Sequence, residues 1–208
     1  MIAIVDYGAG NLRSVYRAFR NLGREAVLTG QPGDIMGASG VVLPGVGAFG
    51  RALERLREIG MDEALRRCAL EGRPLLGICL GMQLFFESSE ERFAPAGPFP
   101  AGLGLFPGRV RRFPVGMKVP QIGWNQVNPV PGARLFHGVP PGEHMYFVHS
   151  YYVQPDDASL VTAWSEYGMG FASAVGRGPI QGVQFHPEKS GGAGLRVLDN
   201  FAAMCEGA

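Results

Sequence analysis

The segment at residues 74–87, PLLGICLGMQLFFE, constrains the fold more than any other part of the chain. Its first half is a short apolar run, which predicts a buried strand of a parallel sheet, and residues 80–85 have helical spacing. Cys79 lies at the junction, with Gly77 and Gly81 two residues away on either side. A strand and a helix that cross so closely leave no room for side chains there, so we predict a nucleophile elbow with Cys79 at its tip.

The predicted elbow gives Cys79 a chemical role. Unpaired N–H groups at the start of the following helix favour the thiolate, the reactive form of cysteine. The N–H of Leu80 points to where an oxyanion would develop during attack on a carbonyl group. A small buried core cysteine is the alternative for an isolated thiol, and the flanking glycines favour the nucleophile.

Strands and helices alternate along the first half of the chain. Apolar runs predict strands at residues 2–5, 26–28, 41–43 and 75–78. Helical spacing predicts helices at residues 12–22, 49–56 and 61–70. Asn11 stands where the first helix needs an N-cap. Such alternation is typical of a doubly wound α/β sheet, whose functional loops lie at the carboxyl ends of the strands.

The second half of the chain has a different character. Residues 93–108 are rich in proline and glycine and predict a surface loop. Strand-like segments follow at residues 110–115, 119–127, 145–153, 160–164, 171–175 and 180–185. Helical spacing returns at residues 197–204 and predicts a closing helix. We therefore expect a mostly parallel sheet with antiparallel additions and a single domain over residues 1–208.

Composition excludes several classes of function. The formal net charge is +1 and the largest basic cluster has three arginines, which disfavours nucleic acid or an anionic membrane as a partner. The uncharged run at residues 74–86 is too short to span a bilayer. Three widely separated cysteines argue against a disulfide framework or a zinc site and for a reducing cytoplasm, with Cys68 and Cys205 as packing residues.

A nucleophilic cysteine needs a base, and His186 is the best of four histidines. It follows an apolar segment and precedes Pro187 and Glu188. On an extended chain, His186 and Glu188 would face the same side, so the carboxylate can bind one ring nitrogen while the other faces the thiol. Pro187 favours this geometry, because proline has a fixed φ and limits the backbone conformations of the residue before it. A solvated histidine at a strand end, beside an unrelated glutamate, is the alternative.

Glycine-rich loops raise the question of nucleotide binding. Neither residues 8–10 nor residues 45–47 complete a dinucleotide-binding fingerprint or supply the lysine of a P-loop, so this function is disfavoured. The loop at residues 44–47 instead leaves backbone N–H groups free at a strand end. This arrangement suits a second oxyanion donor at Val46 or Gly47, and a structural turn is the alternative.

Together these segments resemble a known family. PLLGICLGMQ at residues 74–83 and QFHPE at residues 184–188 resemble the class I glutamine amidotransferases, which hydrolyse glutamine with a Cys-His-Glu triad. Five further segments resemble the glutaminase-subunit family of imidazole glycerol phosphate synthases: DYGAGNL at 6–12, PGVGAFG at 44–50, GWN at 123–125, YFVHSY at 146–151 and FHPEKS at 185–190.

The resemblance implies a flavodoxin-like fold and a function in histidine biosynthesis. It implies catalytic roles for Cys79, His186 and Glu188 in a reaction that needs no cofactor or metal. It also implies a glutamine pocket formed by Gln83, Ser150 and Tyr151. The ammonia would pass to a separate (β/α)₈-barrel cyclase in a cytoplasmic heterodimer, which forms imidazole glycerol phosphate and aminoimidazole carboxamide ribonucleotide.

The resemblance also implies a partner-facing surface. Lys189, Trp124 and Asn11 are the candidate coupling residues. Gln121 departs from the family, which usually has His before the Gly-Trp-Asn segment, and this difference bears on partner contacts rather than on chemistry.

Other functions stay open at the level of sequence. A glutaminase for another synthase, or a free cysteine hydrolase, is disfavoured by the segments at residues 6–12 and 146–151. A catalytically silent regulatory subunit on the same scaffold is disfavoured by the intact triad Cys79, His186 and Glu188.

Overall fold

The computed structural model describes residues 1–92 and 97–207. Its strands are β1 (Ile2–Val5), β2 (Ala26–Thr29), β3 (Gly40–Gly45), β4 (Leu75–Cys79), β5 (Phe86–Ser89), β6 (Phe106–Arg112), β7 (Gln121–Pro129), β8 (Glu143–His149), β9 (Tyr151–Pro155), β10 (Val161–Glu166), β11 (Gly170–Arg177) and β12 (Ile180–Val183). Its α-helices are α1 (Leu12–Asn21), α2 (Pro32–Gly37), α3 (Phe49–Glu58), α4 (Met61–Leu70), α5 (Leu80–Gln83) and α6 (Gly191–Glu206).

Five parallel strands form the centre of the sheet, in the order β2-β1-β3-β4-β12. Antiparallel strands continue it as β11-β10-β7-β8, and β9 joins β11 to the pair formed by β6 and β5. The predicted return of the second half to the main sheet is confirmed, because β12 pairs in parallel with β4. The carboxyl ends of β3, β4 and β12 therefore meet at one edge.

Two apolar layers cover the central strands, and side chains alternate between them along each strand. Along β1, Ile2 and Ile4 pack in the layer that contains Phe19 of α1 and Phe201 of α6. Ala3 and Val5 point the other way, into the layer that contains residues of α3 and α4. These alternating contacts fix the register of β1, since a shift by one residue would exchange the two faces.

The predicted elements of the first half are confirmed within two residues, but other parts of the prediction are wrong. Helix α2, strand β5 and the first four residues of β6 were not predicted, and β6 ends at Arg112 rather than at residue 115. The predicted strand at 145–153 is two strands, β8 and β9, which separate at Ser150. The predicted loop at 93–108 lies partly outside the described residues, at 93–96, and ends at Phe106.

The three cysteines are all buried and free. Burial of Cys68 and Cys205 agrees with their predicted packing role, whereas burial of Cys79 was not predicted. No helix among residues 1–92 and 97–207 is both long enough and apolar enough to cross a membrane.

Candidate active site

Cys79 ends β4 and occupies a sharp turn into α5. Its φ of 55° and ψ of −110° make it the only non-glycine residue with a positive φ in the described part of the chain. Helix α5 is a single turn of four residues, shorter than the helix predicted for residues 80–85, because the chain turns at Leu84 toward β5. The predicted elbow is present, and the helix dipole behind it is small.

The glycines around the elbow are required by close packing. A Cβ on Gly77 would lie 2.6 Å from the backbone nitrogen of Met82, and a Cβ on Gly81 would collide with the Leu43 carbonyl oxygen. On the neighbouring strand β3, a Cβ on Gly45 would lie 2.9 Å from the Leu80 Cβ. Strand and helix therefore touch backbone to backbone, which holds Cys79 in its unusual conformation.

His186 and Glu188 form a buried pair. The Nδ1 atom of His186 is 2.9 Å from Oε1 of Glu188, and their side chains are 2% and 1% exposed. The chain between them is not extended as predicted, because Pro187 begins a short 3₁₀ turn over Pro187–Lys189. This turn, rather than the alternation of a strand, brings the carboxylate to the ring.

The electrostatic surroundings of His186 favour the charged imidazole. Burial lowers the pKa of His186, but hydrogen bonding and charge interactions with Cys79 and Glu188 outweigh burial and raise this pKa to about 9. Among the described residues, no partner of Nε2 meets ordinary hydrogen-bond geometry, so the contact with Cys79 is loose, as is common before substrate binds. The ring can thus hold a proton near the thiol at neutral pH.

Further hydrogen bonds fix this pair. Asn11 donates through Nδ2 to Oε1 of Glu188 at 3.2 Å. It therefore occupies the predicted N-cap position, but its side chain binds Glu188 instead of capping the helix. Ser190 donates through Oγ to the His186 carbonyl oxygen at 2.6 Å. The His186 N–H donates to the carbonyl oxygen of Tyr146 in β8 at 2.9 Å.

A cavity of about 200 Å³ opens beside the Cys79 thiol. It is lined by Val46, Gly47, Cys79, Leu80, Gln83, Val148, His149 and Ser150. The structure thus brings together the predicted nucleophile, the three candidate oxyanion residues, and two of the three residues predicted for the glutamine pocket. Tyr151 contributes through its backbone, because its carbonyl oxygen accepts from Nε2 of Gln83 at 3.0 Å.

A larger groove of about 630 Å³ lies elsewhere, between residues 129–141 and the end of α6. Its lining includes none of the predicted site residues. The chemistry therefore belongs to the smaller cavity around Cys79.

Comparison with known proteins decides the family. The glutamine amidotransferase class-I model matches residues 3–205. The chain belongs to the class I glutamine amidotransferases. The imidazole glycerol phosphate synthase subunit HisH of Moorella thermoacetica is 53% identical over 204 residues, covering 98% of this chain and 94% of that protein. The HisH subunit of Symbiobacterium thermophilum is 50% identical over 203 residues, covering 98% and 93%. Within the class, the chain belongs to the HisH family.

Solved structures share the fold of this amidotransferase. A crystal structure of a glutamine amidotransferase has a TM-score of 0.77 at 20% identity, covering 99% of this chain and 100% of that chain. The structure of PurLQS from Thermotoga maritima has a TM-score of 0.74 at 19% identity, covering 97% of each chain. The predicted class I amidotransferase fold is confirmed.

Three residues of the site were not predicted as site residues. Gln184 donates through Nε2 to the Cys79 sulfur at 3.5 Å, and its Oε1 accepts from Nε2 of Gln83 at 3.0 Å. His149 lines the cavity. Glu91 accepts through Oε2 from the N–H of Phe49 at 2.8 Å and fixes the start of α3, just after Val46 and Gly47. Two of them stood in segments that carry the family resemblance, Gln184 in QFHPE and His149 in YFVHSY, whereas Glu91 carried no sequence signal.

The candidate coupling residues lie at the surface of this amidotransferase, except Asn11. Trp124 is 56% exposed, and its ring centroid is 6.1 Å from that of Tyr146. The Nζ atom of Lys189 lies 5.5 Å from the centroid of the same Tyr146 ring. We call Trp124, Tyr146 and Lys189 the aromatic-basic surface, which adjoins the turn that carries Glu188.

Proposed function

We propose that the chain hydrolyses glutamine through Cys79, His186 and Glu188. The Cys79 sulfur attacks the side-chain amide carbon, and His186 holds the proton that the thiol loses. When the tetrahedral intermediate collapses, His186 gives this proton to the nitrogen, the C–N bond breaks and ammonia leaves. Water then attacks the thioester carbon and gives a proton to His186, the C–S bond breaks, glutamate leaves, and His186 returns the proton to the Cys79 sulfur. Glu188 orients His186 and stabilises its charged form.

The cavity around Cys79 supports glutamine as the substrate. Leu80, Val46 and Gly47 line its wall. We assign the backbone N–H groups of Leu80 and of Val46 or Gly47 to the oxyanion. Gln83 and the backbone at residues 150–151 offer polar groups for the remainder of the amino acid. The observation that carries the proposal is the buried His186–Glu188 pair beside a thiol held at a strained elbow.

The chain is the glutaminase subunit of imidazole glycerol phosphate synthase in histidine biosynthesis, as its high identity to HisH proteins supports. We assign it a heterodimer with a (β/α)₈-barrel cyclase that receives the ammonia, and a cytoplasmic location. Residues 1–208 form one glutaminase domain in this proposal, since strands from both halves pair in the same sheet.

The experiment that tests this function is co-purification with the cyclase subunit followed by measurement of glutamate release. We expect release with the cyclase and its nucleotide substrate present, and none from Cys79→Ala, which should remain folded because alanine fits the elbow. Glutamate release by a folded Cys79→Ala variant would refute the role of Cys79 as the nucleophile. An active chain that neither binds nor supplies the cyclase would refute the assignment to this synthase.

A further inference from the structure

His149 is a cavity residue that the catalytic steps above leave without a role. Its Nδ1 atom lies 2.8 Å from the Tyr151 carbonyl oxygen, and its Nε2 atom lies 2.9 Å from the side-chain amide of Gln121. Only 6% of His149 and 4% of Gln121 are exposed. Three rings pack around the imidazole: Phe113, Phe147 and Phe171. The ring is therefore fixed in one orientation with both nitrogens occupied.

The surroundings determine the charge and the tautomer of this ring. Burial is the main cause that lowers the pKa of His149 to about 4, and nearby His186 lowers it further, against a hydrogen bond to Tyr151 that raises it. His149 is therefore neutral at pH 7 and carries one N–H. The Tyr151 carbonyl oxygen can only accept, so Nδ1 must carry the proton and Nε2 must accept one.

The amide of Gln121 is then the donor to Nε2. The carbonyl end of this amide faces the ring in the structure, and two acceptors would meet there if the ring is neutral. A half-turn of the amide brings its NH₂ group to Nε2 and satisfies both groups. If the side chain at position 121 could only accept hydrogen bonds, Nε2 of the buried His149 would be left without a donor.

We propose that Gln121 is a positioning residue for glutamine binding, acting through His149 on the backbone of Tyr151. The Tyr151 carbonyl oxygen receives two hydrogen bonds, from Nδ1 of His149 at 2.8 Å and from Nε2 of Gln83 at 3.0 Å. These bonds hold the start of β9, next to Ser150 in the cavity wall. This inference rests on the proposed glutaminase reaction.

We expect loss of the Gln121 hydrogen bond to change the affinity for glutamine rather than the reactivity of the Cys79 thiol. Gln83 also contacts Gln184, which contacts the Cys79 sulfur, but neither of these bonds includes His149. We therefore expect loss of the Gln121 donor to loosen the pocket wall, while Cys79 keeps its contact with Gln184 and His186 keeps its contact with Glu188.

Two substitutions at Gln121 form a matched pair. Gln121→Leu removes the donor, whereas Gln121→His supplies a ring N–H. In the complex with the cyclase, we expect Gln121→Leu to raise the KM for glutamine about fivefold or more with little change in kcat. Gln121→His should keep the KM close to that of the parent. An unchanged KM in folded Gln121→Leu, or an equally raised KM in Gln121→His, would overturn the positioning role.

A second measurement needs neither activity nor a variant of Gln121. Nitrogen-15 NMR of the histidine-labelled chain at pH 7 distinguishes the tautomers, and substitution of the exposed His137 and His144 by Gln simplifies the spectrum. We expect the neutral Nδ1–H form for His149. A charged ring or the Nε2–H form would overturn the proposal. The tautomer is observable even if the parent fails to hydrolyse glutamine, so failure of the proposed function is distinguishable from failure of this inference.

Discussion

Cys79 has a backbone conformation that glycine adopts more easily than any residue with a side chain. A positive φ outside the left-handed helical region costs such a residue about 1–3 kcal/mol. We therefore expect Cys79→Gly to be at least as stable as Cys79→Ala, although glycine usually costs about 0.5–1 kcal/mol relative to alanine. Urea unfolding of the two variants measures the difference. An alanine variant that is more stable by the usual amount would show that the elbow is unstrained.

The charged state of His186 couples stability to pH. The folded-state pKa is raised from 6.5 to about 9, so the folded chain binds a proton that the unfolded chain releases between these values. This stabilisation is complete below pH 6.5 and is lost as the pH rises through about 9. The unfolding free energy of the parent, relative to His186→Gln, should fall by at most about 3 kcal/mol over this window. A difference that stays constant would contradict the raised pKa.

The sequence predicted the triad but not its neighbours, for a physical reason. Cys79, His186 and Glu188 lie in short motifs whose chemistry depends on adjacent residues. Gln184 reaches Cys79 across 105 positions of the chain, and such a contact exists only after the strands pair. The hydrogen bond from Asn11 to Glu188 was not predicted for the same reason, because these residues are 177 positions apart in the chain.

At the scale of elements, α6 holds the turn that carries Glu188. A Cβ on Gly194 would collide with the carbonyl oxygen of Pro187, whereas a Cβ on Gly192 in the same helix meets nothing within 4 Å. Gly194→Ala should displace this turn, lower the unfolding free energy by about 1–3 kcal/mol and reduce glutamine hydrolysis. Gly192→Ala is the matched control and should change neither quantity by much. Equal behaviour of the two variants would show that the close approach does not position the triad.

Element prediction succeeded where local pattern and tertiary structure agree. The buried parallel strands are apolar runs, and helix α4 has the predicted bounds of residues 61–70. Strand β5 was missed because its sequence, FESS, has no strand pattern and its conformation depends on pairing with β6. Helix α2 is six residues long and starts at Pro32, which is too short for a periodic signal.

At the scale of the whole molecule, the aromatic-basic surface is our candidate for coupling to the cyclase. Lys189 is exposed and follows Glu188 directly, so a carboxylate on the partner could bias the triad through the shared turn. We expect Lys189→Ala to change the basal glutaminase rate little and to lower the rate with cyclase and nucleotide at least fivefold. Arg20→Ala, at the exposed end of α1, is the control. Full stimulation of Lys189→Ala would remove this residue from the mechanism.

Covalent labelling by a glutamine analogue with an electrophilic diazoketone in place of the amide tests directly whether Cys79 is the nucleophile of a glutamine site. We expect one adduct per chain by intact mass, located on Cys79 by peptide mapping, and we expect excess glutamine to slow the labelling. Cys68 and Cys205 serve as internal controls, since both are buried thiols with raised pKa values, mainly from burial. Labelling that is absent, that falls on either control cysteine, or that persists unchanged in Cys79→Ala would contradict a glutamine site built around Cys79.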